Sequence, residues 1–264
     1  MDFTYYSTEQ TLEKIRSIID EEESGVYLRF GDGDMNLGRG VSELYQGVNP
    51  ELSALIRDAI QLVDKNVLKA LPLHNKEWNT SEEGMFGGNH EAPSSWCENM
   101  IRSFYEISNT QEVEFYSPVA LSHQAVQNSE KTIEFLKFIG DKVKYFIGNK
   151  NIPREVLEVV FNKDIIHIKT PERNSFDKFW EIYNEFVAEV GDDNEYSVVV
   201  TSMGCSGRAI QKQIWDNYSN LFLFDFGSLM DSLCGWNTRA WIELTDFDKD
   251  NFLRKLVSVK EEKR

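Results

Sequence analysis

The chain has little cysteine, few basic residues for its acids, and no long apolar run. Cys97, Cys205 and Cys234 are odd in number and form no C-x-x-C spacing, which excludes a disulfide framework and a thiolate zinc site and points to a reducing compartment. No stretch reaches the roughly 18 uninterrupted apolar residues of a membrane span. Asp2, Glu9 and Glu13 leave no apolar core of signal-peptide length, so a cytoplasmic location is expected. Lys plus Arg number 28 against 44 Asp plus Glu, a formal charge of -16 that repels phosphate backbones and anionic lipid heads; neither nucleic acid nor a membrane surface is an expected partner. His74, His90, His123 and His167 lack metal-ligand spacing, and His167, in an apolar strand, reads as a core histidine. Repeats, low-complexity tracts and linkers are absent too, and one domain is expected for the 264 residues.

What is present is core material, 41% hydrophobic residues and 12% aromatic, arranged in alternating strand and helix signals. Ser7 with Gln10 forms a capping box ahead of Leu12, Ile15, Ile18 and Ile19 on one helical face. Val26 to Phe30 reads as a strand, and Gly31 to Gly38 as the loop at its end. Asn49-Pro50 opens a second helix, with Leu52, Leu55, Ile56, Ala59, Ile60 and Val63 as its apolar stripe. Val67 to Leu73 is a second strand, and the Asn-, Gly- and Ser-rich stretch 74–93 a long loop or insertion. The alternation then continues: helix 95–107, strand 113–116, helix 129–139, strand 143–147, helix 153–161 and strand 165–169. A helix from Asn174 to Val190, with Phe176, Phe179, Trp180, Tyr183 and Phe186 inward, leads to strand Tyr196 to Thr201. A Gly-rich turn at Met203 to Gly207, a helix to Tyr218 and strand Leu221 to Asp225 complete the pattern. Such an order predicts an α/β, Rossmann-like fold, a mostly parallel sheet with helices on both faces. Ligands then bind beyond the carboxyl ends of the strands, where Gly31 to Gly38, Met203 to Gly207 and Gly227 to Asp231 should converge.

Asp32 and Asp34, one residue apart after a strand, suit a hard divalent ion bound through carboxylates and substrate phosphates; a plain Asp-Gly turn is the simpler reading. A calcium loop fits less well, because Leu37 stands where its sharp turn needs glycine. Gly204, Cys205, Ser206 and Gly207 lie between strand and helix, where backbone N–H groups and the helix dipole favour phosphate, although tight packing alone would also select small residues. Cys205 has no neighbouring histidine to make it a nucleophile. Asp225, Ser228 and Asp231 sit at another strand end, where either acid could meet a sugar hydroxyl or cap a turn; Asn174 reads first as a helix cap. Trp78, Phe86 and Trp96 could stack on sugar rings but are better taken as packing.

In order, these segments resemble one family, the GT-D type glycosyltransferase domain of bacterial surface-glycoprotein glycosylation. The pieces are V-Y-L-R-F-G-D-G-D-M-N-L at Val26 to Leu37, Tyr45-Gln46, Asn49-Pro50-Glu51-Leu52, Ala70-Leu71-Pro72, T-P-E-R-N-S-F at Thr170 to Phe176, Ser202-Met203-Gly204 and Asp225-Phe226-Gly227. The resemblance implies a Rossmann-like enzyme that moves a hexose from a nucleotide-sugar donor, a UDP-sugar in the family, to a glycan or glycoprotein acceptor with Mn2+ or Mg2+. It suggests Asp32 and Asp34 as the metal pair; taken with the strand-end loops read above, the candidate catalytic acids are Asp32, Asp34 and Asp231, and the candidate substrate-binding residues are Arg29, Gly31, Gly33, Asn174, Gly204, Cys205, Ser206, Gly207, Asp225 and Ser228. Two departures stand out. Asp34 replaces the family's Glu, and Ser228 occupies the family's His position, with Met230 in place of an acid and Asp231 one residue late. A nucleotide-sugar phosphohydrolase and a non-catalytic nucleotide or glycan binder are the alternatives.

Overall fold

The computed structural model describes residues 3–73, 94–108, 114–192 and 195–261. The expected loop at 74–93, with His74, Trp78, Phe86 and His90, lies outside them.

Eight strands form one sheet: β1 (Thr4–Tyr6), β2 (Gly25–Arg29), β3 (Val67–Ala70), β4 (Glu114–Tyr116), β5 (Val143–Asn149), β6 (Ile166–Thr170), β7 (Ser197–Ser202) and β8 (Leu221–Asp225). Their spatial order is β1-β4-β3-β2-β8-β7-β5-β6, and every pairing is parallel. The expected Rossmann-like class is therefore observed.

Both faces are covered because alternate strand residues point opposite ways. Tyr27, Val198, Val200, Phe222 and Phe224 face one apolar layer with Ile15 of α1 (Thr8–Asp20) and Leu136 of α6 (Ser129–Gly140). α5 (Ala120–Gln127) and α7 (Arg154–Val160) lie in the same layer. Val26, Leu28, Val199, Leu221 and Leu223 face the other layer, with Ile56 of α3 (Pro50–Gln61) and Phe104 of α4 (Ser94–Ile107). Phe186 of α8 (Phe179–Val190) and Ile210 of α9 (Ser206–Asn217) complete it. Helix entry follows local chemistry: Ser7 and Gln10 form the anticipated capping box, and Asn49 caps α3 with Pro50 in its first turn.

Several expectations are corrected. Asp32–Gly38 is a helix, α2, not a loop; the Asp34 carboxylate accepts from Gly31 N–H, and Met35 and Leu37 are buried, so packing overrides two glycines that read as turn. The helix expected from Asn174 starts instead as a 3-10 turn (Ser175–Lys178) before α8. Asn174 holds the N-cap position of that turn at φ 48°, as anticipated, but gives it no side-chain hydrogen bond, and Trp180 faces outward, 49% exposed. β3 ends at Ala70, ahead of Pro72, which has no N–H for a ladder. The short elements β1, α5, α10 (Leu229–Leu233) and α11 (Ala240–Leu244) were not anticipated, while the helix α12 (Lys249–Glu261) runs into the C-terminal Lys260 to Arg264 segment that reads from sequence as a solvated helix end.

The layout positions a crevice. After β2 the chain enters α2 and α3 on one face; after its neighbour β8 it enters α10, whose Leu229, Met230 and Leu233 pack on the other. Between adjacent strands whose continuations diverge, a parallel sheet opens at its carboxyl edge.

Candidate active site

Four charged side chains from β2, α2, α9 and β8 meet beneath this crevice. Arg208, in the first turn of α9, is buried; its Nη1 donates to Asp225 Oδ2, and its Nε lies 3.3 Å from Asp34 Oδ1. Asp225 Oδ1 accepts from Arg29 Nη1 at 3.1 Å and from Gly227 N–H at 2.9 Å, while Arg29 Nε donates to Pro118 O. Burial pushes the Asp34 carboxyl up despite the opposing charge of Arg208. Burial by itself would lower the Arg208 guanidinium, but Asp225 and then Asp34 outweigh it and hold it raised.

The three strand-end segments do converge. A Cβ on Gly33 would stand 2.9 Å from Cys205 Sγ, so α2 touches the turn after β7, and Ser202 Oγ donates to Gly227 O at 3.4 Å. Gly227 has φ +66°, and a Cβ there would come within 1.7 Å of Arg29 Nη1; only glycine leaves the guanidinium room.

Within that frame Asp32 and Asp34 part company. Asp32 is exposed, and its Oδ1 accepts from Gly33 N–H. Asp34 is 3% exposed, with one oxygen on Gly31 N–H and the other facing Arg208. A divalent ion at Asp34 would sit against a guanidinium, so of the pair only Asp32 fits a hard cation, which needs as few as one carboxylate beside substrate phosphates. Among the described residues no three His, Cys, Asp or Glu side chains gather as a ready-made metal cluster.

The turn after β7 is partly engaged. Gly207 and Arg208 give their N–H groups to Gly204 O and Cys205 O. The Gly207 N–H is thus engaged within the turn, Ser206 is buried with its Oγ on Gln46 Oε1, and Gly204 is the exposed residue of the expected phosphate set. Gly204, φ +61°, meets nothing within 4 Å of a notional Cβ. The Cys205 thiol is raised well above its ordinary value by burial, then by Asp34, which disfavours the thiolate.

After β8, Ser228 Oγ accepts from Trp241 Nε1 at 2.8 Å and so anchors α11. Asp231 Oδ2 accepts from Thr238 Oγ1 at 2.5 Å; burial raises its pKa against the lowering effects of that bond and of Arg239. His167 is partly exposed rather than fully in the core, its Nε2 3.1 Å from Gly148 O.

Sequence reasoning gave no role to Arg208 or Gln46. Arg208 carried a signal, a cation at a position flanked by Ala209 and Ile210 in an inward helical stripe. Gln46 carried none. It is 4% exposed, and its Oε1 accepts from Phe176 N–H and Ser206 Oγ, while Tyr45 O accepts from Asn174 N–H and Asn174 Oδ1 from Gly47 N–H. The segment 41–48 is thereby strapped across the strand ends from β2 towards β6.

This sheet and its switch-point crevice define an α/β protein of the doubly wound class. The match to a family model, "Glycosyltransferase GT-D fold", over residues 27–236 goes further: the chain belongs to that family and is a glycosyltransferase. Among solved structures it is similar to "A New Glycosyltransferase (DUF1792) from Streptococcus sanguinis", 21% identical, covering 87% of this chain and 83% of that one at TM-score 0.63. It is also similar to a domain of unknown function 1792 described as having a distinct glycosyltransferase fold, 18% identical, covering 87% and 80% at TM-score 0.64. No curated protein sequence matches. Among the described residues no helix is long and apolar enough to cross a membrane.

Proposed function

We propose that the chain transfers a hexose from a nucleoside-diphosphate sugar, a UDP-sugar by resemblance, to a glycan or glycoprotein acceptor, in the cytoplasm and with one divalent ion. The observation that carries this reading is the close approach of α2, with Asp32 exposed on it, to the turn at Gly204 and Cys205, where Gly204 is exposed, at one crevice of a GT-D family sheet. N–H groups at the start of α9 would receive a donor phosphate, which the helix dipole favours. Asp32 would hold Mn2+ or Mg2+, which supplies, when bound, neutralisation of charge on the leaving diphosphate. Asp34 serves by keeping Arg208 in place, and Arg29 and Asp225 brace the floor. Asp231, beyond the end of β8 and held by Thr238, would be the carboxyl that takes a proton from an acceptor hydroxyl.

The non-catalytic alternative has one observation in its favour. Ser228, in the family's His position, is committed to Trp241. A thermal-shift series of nucleoside diphosphates with and without Mn2+, followed by UDP release from UDP-hexoses in the presence of glycan acceptors, tests both readings. No midpoint shift with any nucleotide would overturn the proposal, and binding without turnover would favour the binder.

A further inference from the structure

Tyr45, at the crest of the strap, stands beside two cations from other loops. Arg173 Cζ, following β6, is 5.7 Å from the ring centroid, and Arg239 Cζ, ahead of α11, is 5.4 Å from it. Both arginines are exposed, and neither makes an ion pair among the described residues. Arg239 reaches only the Thr238 carbonyl, at 3.3 Å; Asp231 feels its charge but is bonded to Thr238 Oγ1. In a chain with 44 acids, two guanidinium groups that decline carboxylate partners and lean on one aromatic ring need another reason to be there. Tyr45 is fixed in turn, since its carbonyl accepts from Asn174 N–H at 2.8 Å and its neighbour Gln46 is buried. Three loops therefore bring two forked donors to one aromatic ring over the strand ends, and forked guanidinium donors match phosphate oxygens.

We infer that Arg173, Arg239 and Tyr45 form a phosphate subsite that grips the diphosphate of the nucleotide donor from the side opposite the sheet. The inference rests on the nucleotide-sugar reading above and adds residues to it. The phenol ring holds the guanidinium planes in place by cation–π contact, so less freedom is lost when the ligand arrives.

The test is calorimetric titration of UDP, uridine and inorganic pyrophosphate into the wild type, R173Q, R239Q and the double variant, with thermal midpoints as a folding check. Each single change should weaken UDP by roughly three- to tenfold and the double change by about ten- to a hundredfold, the range expected for charge-assisted hydrogen bonds. Uridine affinity should not change. Arg→Lys at either position should recover part of the loss, since charge survives but the fork does not. Equal UDP affinity in wild type and double variant overturns the inference, as does a parallel fall for uridine. Wild type that binds pyrophosphate, in an arginine-dependent way, but no nucleoside diphosphate sinks the nucleotide reading and keeps the anion subsite; wild type that binds neither sinks both.

Discussion

Arg208 Nε stands 3.3 Å from Asp34 Oδ1, with the two side chains only 7% and 4% exposed, and the same guanidinium also holds Asp225. One cation thus serves two acids from different elements, α2 and β8. Replacing Arg208 with Met leaves Asp34 and Asp225 buried without their shared partner, which costs about 3–5 kcal/mol for a broken buried pair. Urea unfolding followed by circular dichroism measures this. A loss under about 1 kcal/mol would mean that the group behaves like a surface pair.

Asp32 and Asp34 should separate by experiment. Asp32→Asn is expected to abolish the Mn2+-dependent part of UDP affinity while leaving the thermal midpoint unchanged, because the side chain is exposed. Asp34→Asn should instead lower the midpoint, since the buried carboxylate balances Arg208. Calorimetry with and without Mn2+, beside thermal melts, reads both; the opposite pattern would transfer the ion to Asp34.

Gly227→Ala places a methyl group where Arg29 Nη1 lies, at a residue with φ +66°. The expected destabilisation exceeds about 1 kcal/mol from backbone strain alone. Part of the cost should vanish in an Arg29→Ala background, because the obstacle is then gone; a double-mutant cycle with no coupling would show that strain is the whole effect.

Gln46→Leu removes the acceptor shared by Phe176 N–H and Ser206 Oγ. Amide exchange across 41–48 should quicken while exchange in β5 and β7 stays slow, and UDP should bind more weakly if the strap carries part of the site. Unchanged exchange in 41–48 would mean that Tyr45 and Gly47 hold the segment without it.

His167 has its pKa lowered from 6.5, mainly by burial. In the pH window between the depressed folded value and 6.5, the unfolded chain binds more protons, so this residue makes stability fall as pH drops through that window. Wild type should therefore lose more stability than His167→Gln between neutral and mildly acidic pH, as read from urea midpoints at each pH; parallel curves would remove His167 from the acid response.

The sequence by itself determined the class of fold, because the alternation of short β-branched runs with amphipathic stretches is local information, as are the capping box at Ser7 and the Asn49-Pro50 helix start. It also marked the three strand-end segments that meet at the crevice. Tertiary structure alone decided what the acids do there. Asp32 and Asp34 are chemically alike one residue apart, yet helical geometry turns one to solvent and the other onto Arg208, a residue 174 positions away by sequence number. The same holds for Gln46 and for the arginines beside Tyr45. Which charges share a buried site depends on strand order and loop crossing, and those are set by packing over long sequence separations that no local pattern encodes.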